Sequence, residues 1–290
     1  MLKRSALIFI LLGSLALSAC SAVKFAYNNL DTVLLYWLDH YVDLTNEQEV
    51  WAKERIAASL LWHRQTQLPL YADMLAQQQE RLANRAYTQA DALALSNTLR
   101  LHSATLLNYL APDLVTLATR LQPKQIQHLE ERFKIDNKKF QKEYLSGEIN
   151  SLKNQTKKTI SRIEWLFDYV DSEQAKQIEL AVTQAQINQA AILAERVARQ
   201  QTTLLILRQA VYDKAPKERL ERDLRESFLA MTALSLDAQR RLVLLENQQK
   251  STQLTANTLK LLNPAQRQSG VTQLQEWGKD LRELATQVQK

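Results

Sequence analysis

Only four of the 290 residues are glycine, namely Gly13, Gly147, Gly270 and Gly278. That scarcity narrows the fold more than any other feature of the chain. Soluble proteins carry about 7% glycine, mostly where the backbone turns tightly or enters left-handed space. Strand-rich folds need many such turns, and phosphate-cradling loops need the same freedom. Four scattered glycines furnish neither. The abundant Ala, Leu, Gln, Glu, Lys and Arg are good helix formers. A nearly all-helical protein is expected.

Apolar spacing agrees. Leu180, Ile187, Ala191, Ala194, Ala198 and Leu205 fall at helical intervals, and a second stripe runs through Leu220, Leu224, Met231, Leu234, Ala238, Leu242 and Leu245. Val271, Leu274, Trp277, Leu281, Leu284 and Val288 form a third. Each reads as the buried face of an amphipathic helix. Helix starts are legible too. Thr45-Asn46-Glu47-Gln48 is a capping box, in which hydroxyl and amide satisfy backbone donors reciprocally. Pro123 and Pro264 stand at first helical positions, Asp171 stands at a cap, and Thr88 and Ala215-Pro216 mark further starts. Neither Pro nor Gly interrupts 171–212, which permits one helix of about 60 Å at 1.5 Å per residue. The same holds from Pro216 to about Leu262. Pro69 and Pro112 either kink helices or separate them. The soft point is Leu145-Ser146-Gly147, flanked by lysines. The expected fold is all-α, an elongated multi-helix bundle of long antiparallel hairpins.

The first twenty residues give the location. A basic start (Lys3, Arg4), an apolar run from Ala6 to Leu17, then Leu17-Ser18-Ala19-Cys20 form a lipoprotein signal with its cleavage site. The run is too short to span a bilayer. Cys20 is the sole cysteine, so the mature domain has no disulfide, and Cys20 is the expected lipidation site. The expected layout is a signal peptide over 1–19, a membrane-proximal segment over 20–44 and a helical bundle over 45–290. Losing Lys3 and Arg4 takes two from the 37 basic residues, leaving 35 against 31 acidic, a net +4. So mild an excess is no nucleic-acid signature.

Several segments are distinctive together. They are Tyr27-Asn28-Asn29-Leu30-Asp31, Leu35-Tyr36-Trp37-Leu38-Asp39 and Val42-Asp43-Leu44-Thr45 before Glu47-Gln48-Glu49. Trp62-His63-Arg64 with Leu68-Pro69 and Tyr71 follows, then Leu121, Pro123, Gln125, Leu129-Glu130, Arg132-Phe133, Asn137, Phe140 and Tyr144, and finally Pro264-Ala265-Gln266-Arg267. The chain thereby resembles a family of proteobacterial lipoproteins of unknown function, over most of its mature length. Leu44-Thr45-Asn46-Glu47-Gln48 also resembles the Leu-Thr-x-x-Gln motif of small helical periplasmic stress chaperones. Looser copies stand at Leu121–Gln125, Val170–Gln174 and Leu262–Gln266. Helix capping alone explains all four, and their uneven spacing does not make a repeat array.

Chemistry is sparse. Asp31, Asp39, His40 and Asp43 cluster, and Asp39 and Asp43 share a helix face. Adjacent His40 points elsewhere, so surface charge or a local polar network is the favoured reading over a metal pair. No nucleophile elbow, phosphate loop or zinc spacing is present; no enzyme, cofactor or metal is expected. Phe25, Tyr27, Tyr36, Trp37 and Tyr41 either lie at a membrane interface or pack within the bundle, and Leu34, Leu35 and Leu38 beside them favour packing. The most basic zone holds Lys134, Lys138, Lys139, Lys142, Lys153, Lys157, Lys158 and Arg162. Those from Lys138 onward are the candidate site for a partner or an anionic lipid, and a solvated hairpin tip explains them equally. Ser21, with no Asp in its place, favours outer-membrane sorting by resemblance to known lipoproteins. The expected protein is a non-catalytic lipoprotein on the periplasmic face of the outer membrane. It would serve as an adaptor or scaffold for an envelope partner, or alternatively as a holdase-like chaperone, and would bind no nucleic acid.

Overall fold

The computed structural model describes residues 22–287, in which twelve helices and no strands occur. Cys20, the signal segment and Val288 lie outside the described residues. In chain order the helices are α1 (Ala22–Asn28), α2 (Leu30–Val42), α3 (Asn46–Thr66), α4 (Leu68–Asn84), α5 (Gln89–Ala118) and α6 (Pro123–Tyr144). They continue as α7 (Glu148–Phe167), α8 (Ser172–Ala185), α9 (Gln189–Val211), α10 (Lys217–Thr232), α11 (Ala238–Lys260) and α12 (Pro264–Thr286). The all-α expectation holds. Pro69 sits in the first turn of α4, where its missing donor costs nothing, and Pro112 lies inside α5.

Every expected cap is present, and four of them do more than cap. In the box at Thr45, Gln48 accepts the Thr45 N–H at Oε1 (2.9 Å). Its Nε2 reaches 77 residues along the chain, donating to the Arg120 carbonyl (2.8 Å) and to Gln125 Oε1 (3.2 Å). Gln125 answers in kind. Its Oε1 accepts from Gln122 N–H (2.8 Å), while its Nε2 donates to the Asp43 carbonyl (2.8 Å) and Gln48 Oε1 (2.7 Å). A second crossing repeats the arrangement 92 residues apart. Gln174 donates to the Leu261 carbonyl (2.8 Å) and Gln266 donates to the Tyr169 carbonyl (2.7 Å), and the two amides donate to one another at 2.8 Å. In all four cases the carbonyl lies two residues before the partner's cap. Each amide thus makes two donor and two acceptor contacts, the full complement of that group.

The apolar core follows from these crossings. Seven residues past the four caps stand Ala52, Leu129, Ile178 and Gly270, all buried. The first crossing tops a core of Val42, Leu121, Ile126, Leu129, Leu204 and Val211. The second tops Leu82, Ile163, Phe167, Ile178, Val182 and Leu274. Val115, Ala118, Ile206, Ala210 and Leu220 form a third cluster where α5, α9 and α10 meet. Helices α4 and α12 pack along one another in opposite directions. Arg267, early in α12, donates to the Leu82 carbonyl late in α4 (3.3 Å), and Arg282 reaches Asp73 (3.2 Å). Gly270 lets this region close: a Cβ there would stand 2.3 Å from the Phe167 ring.

Two expected long helices are broken. The first ends at Gln186, which enters left-handed space (φ 46°), and Asn188 caps a new helix by accepting the Ala191 N–H (2.9 Å). Asn247 brackets Asn188 with a donor and an acceptor, so the break is held by tertiary contacts. The second break is at Leu234 (φ 69°), whose carbonyl takes a bond from Arg199 (2.8 Å) before Asp237 starts α11. A stripe drawn through a break does not remain on one face. Leu180, Leu205, Leu242 and Leu245 are therefore exposed, and Ile178, Val182, Leu193, Leu204 and Ile206 are buried instead. The third stripe has no break, and Leu274 and Leu284 on it are buried.

Candidate functional site

Helices α6 and α7 form a hairpin through Leu145-Ser146-Gly147, and Gly147 supplies the positive φ (131°) that the reversal needs. Two contacts pin the hairpin. Asn154 donates to the Glu143 carbonyl (2.7 Å), and Lys158 pairs with the Glu143 carboxylate (2.7 Å). That hydrogen bond from Lys158, with a further contact to Tyr144, raises the lysine's pKa above its ordinary value.

All seven cations of the expected site lie here and are exposed, with Lys138, Lys139 and Lys142 on α6 and Lys153, Lys157, Lys158 and Arg162 on α7. Among the described residues only Lys158 of these seven makes an ion pair. Lys138–Lys142 and Lys153–Lys157 are like-charged pairs at i,i+4, each of which weakens its helix by about 0.2–0.5 kcal/mol. The hairpin carries that repulsion uncompensated, and an anionic surface would relieve it. Apolar side chains stand among the lysines: Ile149 is 83% exposed, with Ile135 and Leu145 also open to solvent.

The structure does not gather the seven into one cluster. Lys139 and Lys158 alone join a groove of about 530 Å³ at the hairpin's root, together with Tyr41, Phe133, Phe140 and Arg196. It continues past Phe133 and Arg196 into a second hollow beside Ile192, Thr203 and Leu244. The Arg196 guanidinium lies over the Phe140 ring (5.1 Å) and has no ion pair among the described residues. On the opposite wall the Tyr41 hydroxyl donates to Asp136 (2.6 Å). Burial, then that carboxylate, pushes the Tyr41 pKa upward. Among the described residues, Lys139 and Arg196 are cations of this groove without an ion pair; aromatic rings stand beside them, and Asp136 and Glu143 also line it.

Arg196 escapes sequence reasoning because it sits in an alanine-rich helix with no motif. The available signal was Phe133 and Phe140, two turns apart on α6. The acidic cluster proves to be local structure. Asp39 accepts the Leu44 N–H (2.9 Å) to close α2, Asp31 accepts from Thr32 (2.8 Å), and Asp43 turns the chain at φ 57°. His40 contacts Arg132, and its carbonyl contacts His128 (3.0 Å).

The expected packing of the aromatics is corrected in part. Tyr27 and Tyr41 are tucked against the body, but Phe25, Tyr36 and Trp37 are 67%, 65% and 52% exposed. On α2, Leu35, Leu38 and Val42 take the inward face, leaving Val33, Tyr36 and Trp37 on the opposite side.

One family model matches residues 40–227, that of a family of unknown function (DUF6279). The span includes the first glutamine crossing, the hairpin and the groove. The segments at 27–39 and 264–267 fall outside it. No curated protein and no solved structure matches the chain.

Proposed function

The chain belongs to this family of unknown function, and from that premise we propose that it is a non-catalytic envelope adaptor, lipid-anchored through Cys20. In this reading it stands on the periplasmic face of the outer membrane and binds an acidic segment of a partner protein. The observation that carries it is Lys139 and Arg196, without an ion pair among the described residues, in a groove with aromatic rings at the root of a lysine-rich hairpin. Lys138, Lys142, Lys153 and Lys157 would steer that partner at longer range. Among the described residues no helix is long and apolar enough to cross a membrane, and the reading assigns attachment to the acyl chains. Brief cross-linking in cells, followed by native extraction, tests it. One companion at constant ratio is expected, and Arg196→Glu with Lys139→Glu should release it. Extraction of the protein without any stoichiometric companion would sink the adaptor reading.

A holdase reading draws on Leu229, Leu236 and Leu242, three exposed leucines around the break between α10 and α11. The Leu-Thr-x-x-Gln likeness supports it less, since Gln48, Gln125, Gln174 and Gln266 are spent on the fold. Failure to slow aggregation of several unfolded clients near equimolar ratio would remove this alternative.

A further inference from the structure

Helix α2 is apolar on two opposite faces, yet the protein covers only one. Leu35, Leu38 and Val42 face the body, while Val33, Tyr36 and Trp37 face solvent with Leu34 beside them. Phe25 on α1 extends the same exposed aromatic character toward the N-terminus. A large apolar face left uncovered on a helix ordinarily marks a surface that protein or lipid covers. The helices are not loose. The Tyr27 hydroxyl contacts His63 Nδ1 (3.0 Å), and Lys24 pairs with Asp280 (3.2 Å) and with Glu283. Tyr41 is bonded to Asp136 (2.6 Å) at the other end. Lys24 is thereby drawn toward α12, and the other charged residues of the two helices are Asp31 and Asp39.

We infer that this exposed face of α1 and α2 is a membrane-interface platform, seated at the headgroup level of the bilayer that holds the lipidated Cys20. The inference rests on the anchor reading, because chain length selects the occupant. Cys20 precedes the first residue of α1 by two positions, a reach of about 7 Å even when fully extended. No partner protein needs to be brought there; acyl chains on Cys20 would place the bilayer against Phe25 and the face that follows it. Composition agrees: Trp, Tyr and Phe with few charges is the make-up of interfacial segments. Since both helices are fixed to the body, the platform would also set the angle at which the groove is presented.

The test uses the full-length lipidated protein in phosphatidylethanolamine–phosphatidylglycerol vesicles that contain brominated lipid, with tryptophan fluorescence as the readout. Trp37→Phe should abolish the larger part of the bromine quenching. Trp165→Phe removes another exposed indole, one that packs at a tilt against Trp277 (ring centroids 4.4 Å apart), and should leave the quenching unchanged. Intact mass of the same sample reports acylation. Acylated protein whose quenching survives Trp37→Phe overturns the platform alone. Photocross-linking from position 37 to a protein instead of lipid does the same. Protein without acyl chains overturns the anchor reading, and the platform falls with it.

Discussion

The two glutamine crossings share the bonds of their amides and differ in what surrounds them. At the first, Gln48 and Gln125 are both buried, but the neighbouring core holds Tyr41, Trp51 and Phe133 and opens into the groove. At the second, Gln266 is fully buried, Gln174 is half-exposed, and the core beneath is mostly aliphatic and closed around Phe167 and Gly270. One crossing joins the starts of α3 and α6, and α6 carries the hairpin and a wall of the groove; the other joins the starts of α8 and α12. The same lock therefore serves presentation in one half and packing in the other.

Replacing each amide is the sharpest way to break the comparison. Gln125→Leu should cost about 3 kcal/mol, because its partner Gln48 is buried as well and several buried polar groups lose their partner at once. Gln266→Leu should cost less, about 2 kcal/mol, since Gln174 is half-exposed and solvent reaches the groups it orphans. Urea unfolding of both variants and of the double decides it. Equal losses would mean that the surroundings of the two crossings do not matter.

Gly270→Ala tests the closed half alone. The added methyl meets the Phe167 ring, and overpacking should cost about 1–3 kcal/mol, read as a lower thermal midpoint. A midpoint unchanged from the parent protein would show that Phe167 can move aside.

A further capping box, at Thr88, offers a charged counterpart. Asp91 takes the place of glutamine there and stays local, accepting from Arg85 (2.6 and 2.7 Å) and from Thr88. The Arg85 hydrogen bonds hold its carboxyl well below the usual carboxylate range. Its contribution is therefore complete above the ordinary value of 3.8 and is lost as pH falls below it. Nearby, burial pushes Tyr87 up to about 12, so its contribution is complete below pH 10 and is lost as pH rises through about 12. Asp91→Asn should cost about 1–2 kcal/mol at pH 7. That gap should close in acid, whereas the Gln125→Leu and Gln266→Leu losses should not vary with pH. Stability curves from pH 2 to 7 check both halves of the expectation.

The smallest effect on stability should come from Lys138→Glu with Lys142→Glu, within about 0.5 kcal/mol of the parent. The same change should slow capture of the acidic partner under cross-linking, since these lysines act by steering. Capture at an unchanged rate would take the steering role from the hairpin.

The sequence made the helices, their caps and the basic hairpin legible, because each is a local pattern. Thr45, Thr88, Asp171 and Asn263 all cap as expected. The pairing of the glutamines was not legible, since nothing near Gln48 names Gln125 as its partner. Nor were the breaks at Gln186 and Leu234: neither uses glycine, and each is held by a distant side chain, Asn247 or Arg199. The outward turn of Tyr36 and Trp37 was hidden because leucines and aromatics alternate within one short helix. Local sequence shows that such a helix is apolar, but only tertiary contacts show which side is covered.

The reciprocal glutamines also set an order of events in folding. The Gln48 side chain can complete the start of α3 by itself, but its two remaining donor contacts wait for residues 120–125 to arrive. Gln174 waits longer, for a segment 92 residues further on. Helical proteins usually fold fast because their contacts are local. Here the polar joints close only after long stretches of chain have emerged. A polypeptide delivered from its N-terminus would hold the first amide open until α6 emerges, and the second until almost the whole chain is present. Late closure of the second joint makes the last helix the step that completes the structure, so truncation before Pro264 should leave a species with intact helices and no fixed second core.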